Sequence, residues 1–121
     1  MRLIKLWIAA LHGRTAQAQK LLKEGHDIEQ KVGNMASSPL MVAVKHKHYR
    51  MVVLLLRCGA EVNTTDNAGQ TPLHIAAFKT SPVIVQLLID KGAHEKATDN
   101  MGCTPLAIAT TVGHAVHRIG M

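Results

Sequence analysis

Aromatic side chains are almost missing from this chain: Trp7, Tyr49 and Phe78 are the whole set. Proteins that hold single-stranded nucleic acid stack its bases on several aromatic faces along a groove, so that function class is disfavoured from the start. Cysteine is scarce too. Cys58 and Cys103 stand 45 residues apart, which makes neither a disulfide framework nor a paired-cysteine zinc spacing. Reduced thiols in a cytoplasmic or nuclear setting are the simpler expectation. No apolar run approaches the roughly 20 residues that a membrane-spanning helix needs. The opening stretch MRLIKLWIAALHGRTAQAQ has the early charge and apolar run of a secretory leader. Lys5 interrupts that run, and His12, Gly13 and Arg14 close it early, so it reads as part of the folded chain. Hydrolase, phosphate-loop and zinc-protease signatures are all missing, which leaves an enzyme reading without support. Acidic residues are outnumbered, 8 against 14 Lys and Arg, for a net charge of +6. That leaves acidic partners open and says nothing about the fold.

What is present is repetition. The phrase QTPLHIAAF at 70–78 returns as SSPLMVAV at 37–44 and CTPLAIAT at 103–110. Pro39, Pro72 and Pro105 are spaced by 33 residues, as are Gly59 and Gly92, each followed by Ala, and Asp66 and Asp99, which open the turns DNAG and DNMG. LLKEGHDIE at 21–29 aligns with LLRCGAEVN at 55–63 at a spacing of 34, so one extra residue lies between Gly25 and Pro39. Carrying the register back places Leu6, Ala9 and Ala10 on Leu40, Ala43 and Val44, and units begin near 4, 38, 71 and 104.

Each unit reads as two short helices and a turn. Thr71 suits an N-cap and Pro72 the first helical position, where its missing N–H costs nothing. Leu73, Ala76 and Ala77 follow at helical spacing. A second helix is expected from Pro82 to Lys91, capped by Ser81 and stopped at Gly92. TPLHIA, LLRCGA and the 33-residue period together resemble the ankyrin-repeat family, over nearly the whole chain. The fold this implies is an all-α solenoid of stacked helix-turn-helix units joined by β-hairpin loops. The repeats run roughly 1–37, 38–70, 71–103 and 104–121, with the first diverged and the last incomplete. A single helix pair cannot bury its apolar face, so stacked copies supply the core. Gln17 and Gln19, where unit two has Met51 and Val53, give the first unit the polar outer face of a terminal cap.

The resemblance implies a non-catalytic protein–protein interaction module that binds through hairpin tips and the concave side of the first helices. By register the contact residues are Leu11, His12, Met35, Lys45, His46, Asn67, Phe78, Lys79, Asn100 and Met101. Asn34, Ser37, Ala68, Gln70 and Cys103 complete the tips, and Thr111 and Val112 the helix row. Apolar Met35, Met101, Leu11 and Phe78 beside His12, Lys45, His46 and Lys79 suit a partner with an acidic rim around an apolar anchor. Leu11 and Phe78 have a packing alternative. Trp7, standing at the histidine of TPLH, is expected to cover the end of the array, with an interface anchor as its alternative. The resemblance gives His74 a structural role, hydrogen-bonding neighbouring loops, and Met41 and Ala107 lack that side chain. It also likens Asn63 to asparagines hydroxylated in ankyrin hairpins; a turn role is simpler.

KHKHYR at 45–50 falls between the helices of unit two, either as a solvated turn or as an electropositive edge that speeds association with an acidic partner. Nucleic-acid binding is disfavoured because no groove-reading motif accompanies the charge. His46 with His48, and His114 with His117, have metal-compatible spacings, but no further ligand completes either pair. No metal or cofactor is therefore expected. GHAVHRIGM is either a polar cap or the remnant of a longer array, in which case the chain would self-associate through its incomplete last repeat.

Overall fold

Proline marks where the first helix begins in units two, three and four. The computed structural model describes residues 4–111; Val112, His114, His117, Arg118 and Ile119, with the rest of 112–121, lie outside the described residues. Helix α1 spans Lys5–His12, α2 Thr15–Lys23, α3 Pro39–Lys45, α4 Tyr49–Arg57, α5 Pro72–Phe78 and α6 Pro82–Asp90, and the chain is helical again at 105–111, here α7. Pro39, Pro72 and Pro105 thus open equivalent helices, as expected. Ahead of them Ser38 accepts from Met41 N (3.2 Å), Thr71 from His74 N (3.3 Å) and Thr104 from Ala107 N (3.1 Å). Each cap satisfies an orphan donor and is worth about 1 kcal/mol.

The expected Ser81 cap does not form. Ser38 and Thr71 are extended, with ψ 166 and 168, whereas Ser81 has ψ 85. Its backbone is bent into the inter-helix turn, where Ser81 N donates to Ala76 O (3.2 Å). Gly92 stops α6 as predicted, at φ 95.

Two layers result. Helices α1, α3 and α5 pack side by side, and α2, α4 and α6 pack behind them. Ala9, Ala10, Ala43 and Ala76 are fully buried, and side chains this small let helix backbones approach closely. Leu6, Leu40 and Leu73 fill the front layer; Leu21, Met51, Leu55, Ile84 and Leu88 fill the space behind it. Gln17 and Gln19 are exposed, while Met51 is buried and Val53 half-buried. The first unit therefore does carry a polar outer face.

The loops are tight turns: among the described residues there is no strand, and one isolated bridge joins Val32 to Ser37. The Oδ1 of Asp66 accepts from Ala68 N (2.9 Å) and Gln70 N (3.0 Å), and that of Asp99 from Met101 N and Cys103 N (both 2.9 Å). Successive tips are laced together. Asn67 donates from its backbone to Met35 O (2.8 Å) and from its side chain to Asn34 O (2.6 Å); Asn100 repeats this to Ala68 O (2.9 Å) and Asn67 O (3.0 Å). The ladder pairs Asn34 with Asn67 at the 33-residue period, so the extra residue of unit one falls between Gly25 and Asn34.

Candidate functional site: the concave face

The three inter-helix turns share one geometry. Gly13, Lys47 and Thr80 take left-handed φ values of 68, 58 and 51. Behind them Arg14 N donates to Ala9 O (2.9 Å), His48 N to Ala43 O (2.9 Å) and Ser81 N to Ala76 O (3.2 Å). Because the turns superpose, register becomes geometry. Leu11, Lys45 and Phe78 occupy one column across adjacent units, and His12, His46 and Lys79 the next.

Phe78 is 59% exposed, with the Lys79 Nζ 5.7 Å from its ring centroid, a cation–π distance. His12, Lys45 and His46 are exposed, and Lys79 is half-buried. Leu11 is half-buried against the core, and its carbonyl accepts from His48 Nε2 at 2.9 Å. The His46 and His48 rings stack 6.1 Å apart. His46 is held below its ordinary pKa, first by partial burial and then by the positive charges of Lys45, His48, Lys79 and His12.

At the tips Met35 is 48% and Met101 86% exposed. Asn67 and Asn100 are exposed at the same edge, but their amide groups are committed to the ladder. The tips therefore present methionine side chains on a hydrogen-bonded asparagine rail, which the spacing alone did not reveal. The Asp99 carboxyl is held below its ordinary pKa, chiefly by the Cys103 N–H, with help from the Gln70 amide, the Met101 N–H and His74, against an opposing effect of burial.

Behind the face lie the loop tethers. His74 is fully buried. Its Nδ1 accepts from Thr71 N (3.1 Å), which leaves Nε2 as the donor to Cys103 O (2.8 Å). Trp7, at the same register, donates from Nε1 to Ser37 O (3.0 Å). It is a loop tether in its own right, a role its apolar bulk concealed. Asn63 bridges too, donating to Gly92 O (3.1 Å) and accepting from His94 N (2.9 Å).

Among the described residues no three His, Cys, Asp or Glu side chains gather as metal ligands, and no helix is long and apolar enough to cross a membrane. A groove of about 680 Å³ runs between α6 and α7, lined by Leu73, Val85, Ile89, Leu106 and Ala109 among others. The family model described as ankyrin repeats (3 copies) matches residues 6–99 and again 40–118.

Proposed function

We propose that this chain, which belongs to the ankyrin-repeat family, is a non-catalytic module that grips a protein with an acidic rim through its hairpin tips and the concave side of its first helices. Repeats of this family generally mediate protein–protein interaction. The observation that carries the reading is the pairing of solvent-exposed anchors, Phe78 and Met101, with a row of cationic and imidazole groups. Apolar anchors supply affinity when desolvated, and the charged rim supplies selectivity and association rate. Met35 and Leu11 extend the apolar part, while His12, Lys45, His46, Lys79, Asn67 and Asn100 frame it. Cys58 and Cys103 are both unpaired thiols, which fits a reducing compartment, cytoplasm or nucleus.

Quantitative affinity capture from the source cell tests this with the Phe78→Ser/Met101→Ser double variant, its folding checked by circular dichroism. Specific partners should be lost. Their retention in that variant, together with loss on changing Ile119, which lies outside the described residues, would overturn the reading.

The groove between α6 and α7, with Leu106 73% exposed beside it, favours a second reading: the chain associates with itself through its C-terminal end. Sedimentation velocity over a hundredfold concentration range discriminates. A constant monomer removes self-association and leaves the concave-face reading intact.

A further inference from the structure

The concave-face reading leaves open what kind of acidic surface the cationic row would read. Charge in this molecule is segregated. Among the described residues all Asp and Glu sit in the loops after the second helices, at the end of those helices or in the hairpins; 4–23, 30–60 and 67–89 contain none. The inter-helix turns carry Arg14, Lys45, Lys47 and Lys79, with His12, His46 and His48, and within 4.0 Å the one acid–base pair among the described residues is His26 with Glu24, at the far side of unit one. The row has no internal counter-ion.

Its geometry is regular. His12, His46 and Lys79 each immediately precede the left-handed residue of an equivalent turn, on helices packed as neighbours. Packed helices lie roughly 8–10 Å apart, so the column steps by about that distance per unit. A polyproline II chain rises about 3.1 Å per residue with three residues per turn, so every third side chain returns to one face about 9.3 Å further on.

We propose that the His12–His46–Lys79 column docks an extended acidic segment of a partner protein that carries a carboxylate at every third residue. This rests on the concave-face reading and adds the spacing and conformation of the ligand. A docked carboxylate opposite His46 offsets the field of Lys45, Lys79, His12 and His48 and draws a proton onto the ring, so binding tightens as pH falls from 7.5 toward 6. Glutamates on the ligand, with an ordinary pKa near 4.3, stay ionised over that range. Phe78 is the one Phe, Tyr or Trp in the His12–His46–Lys79 and Leu11–Lys45–Phe78 columns, too little for a nucleic-acid stacking platform.

The test uses two fluorescein-labelled peptides of one composition, EPPEPPE and PPEEEPP, titrated by anisotropy against the full chain at pH 6.0 and 7.5. At pH 6.0 the spaced peptide should bind about tenfold tighter than its clustered isomer, a difference set by charge complementarity alone. That advantage should shrink at pH 7.5 and vanish in the His46→Gln/Lys79→Gln variant, its folding checked by circular dichroism. Equal affinity of the two isomers at pH 6.0 overturns the proposal, as does tighter binding of a single-stranded oligonucleotide of the same charge. If the isomers bind alike while partner capture still depends on Phe78 and Met101, the column idea fails and the concave-face reading stands. If capture ignores Phe78 and Met101, that reading fails instead.

Discussion

The indole N–H of Trp7 meets the carbonyl of Ser37 at 3.0 Å, across 30 residues of sequence. The first helix of a unit here holds the end of the hairpin that leads into the next unit, and His74 does the same two units later through Cys103 O at 2.8 Å. Two side chains with little in common besides a ring N–H serve one purpose. Met41, the equivalent in unit two, has no such donor.

Trp7→Phe keeps an aromatic ring against the core but loses the pyrrole half of the indole and with it the donor. Ser37 O retains a second bond from Val32 N (2.9 Å), so no orphaned acceptor is left. The hydrogen bond accounts for about 0.5–1.5 kcal/mol of the expected loss, to which the lost core contact adds, the total being read from the shift in urea midpoint at constant slope.

His74→Met should cost more. It copies unit two in volume but strips the acceptor from the buried Thr71 N–H as well as the tether to Cys103. Leaving a buried donor unpaired costs about 1–3 kcal/mol. The same urea measurement should rank His74→Met above Trp7→Phe, and the reverse order would refute a tethering role for His74.

Gly13 carries two constraints at once. It sits at φ 68, and a Cβ built there would lie 2.7 Å from Nδ1 of His48. Lys47 and Thr80 show that the turn accepts a side chain at left-handed φ, so the collision with His48 is the particular cost at this position. Gly13→Ala should destabilise by about 2 kcal/mol, of which backbone strain accounts for roughly 1. Repeating it in a His48→Ala background removes the collision, and the cost should fall toward strain alone; equal costs in both backgrounds would sink the coupling.

Acid should weaken the third hairpin only as pH falls below the ordinary carboxylate value. The Asp99 pKa is depressed in the folded chain, principally by the Cys103 N–H. The folded state therefore binds fewer protons than the unfolded one just below the ordinary value of 3.8. The stabilisation is complete above that value and drains away as pH falls through the lower folded pKa. Asp99→Asn keeps an acceptor oxygen without the charge, so its melting temperature should fall less between pH 4 and 2.5 than that of the unaltered chain. Parallel curves would exclude the effect.

The parts of this fold legible in the sequence are those where one residue acts on its own backbone. Pro39, Pro72, Thr71 and Gly92 announce helix starts and stops because proline, threonine and glycine bias φ, ψ and capping locally. Ser81 misleads for the same reason: it is a capping residue before a proline, yet the turn geometry sets its ψ. Contacts between units are less visible. Asn67 and Asn100 look like loose tip residues, and only their stacking shows that the amides are spent on Asn34 O and Asn67 O. Phe78 was open between packing and exposure because periodicity places a residue on a face without saying what covers it.

Ala36 offers a way to improve the molecule. It holds φ 55 at the position where Gly69 and Gly102 have φ 74 and 80. A left-handed alanine costs roughly 1–2 kcal/mol, and glycine gives back about 0.5–1 through the greater entropy of its unfolded chain. Ala36→Gly should therefore stabilise by about 0.5–1 kcal/mol, read from urea denaturation. The opposite exchange, Gly69→Ala, should do far more harm, because its Cβ would lie 2.9 Å from the Asn100 backbone N and press on the Asn100 side chain. That displaces the rung linking Asn100 to Ala68 and Asn67. Faster amide exchange at Asn100 in Gly69→Ala, with none in Ala36→Gly, would show the asparagine ladder yielding at that rung; unchanged exchange in both would mean that the tips hold together without it.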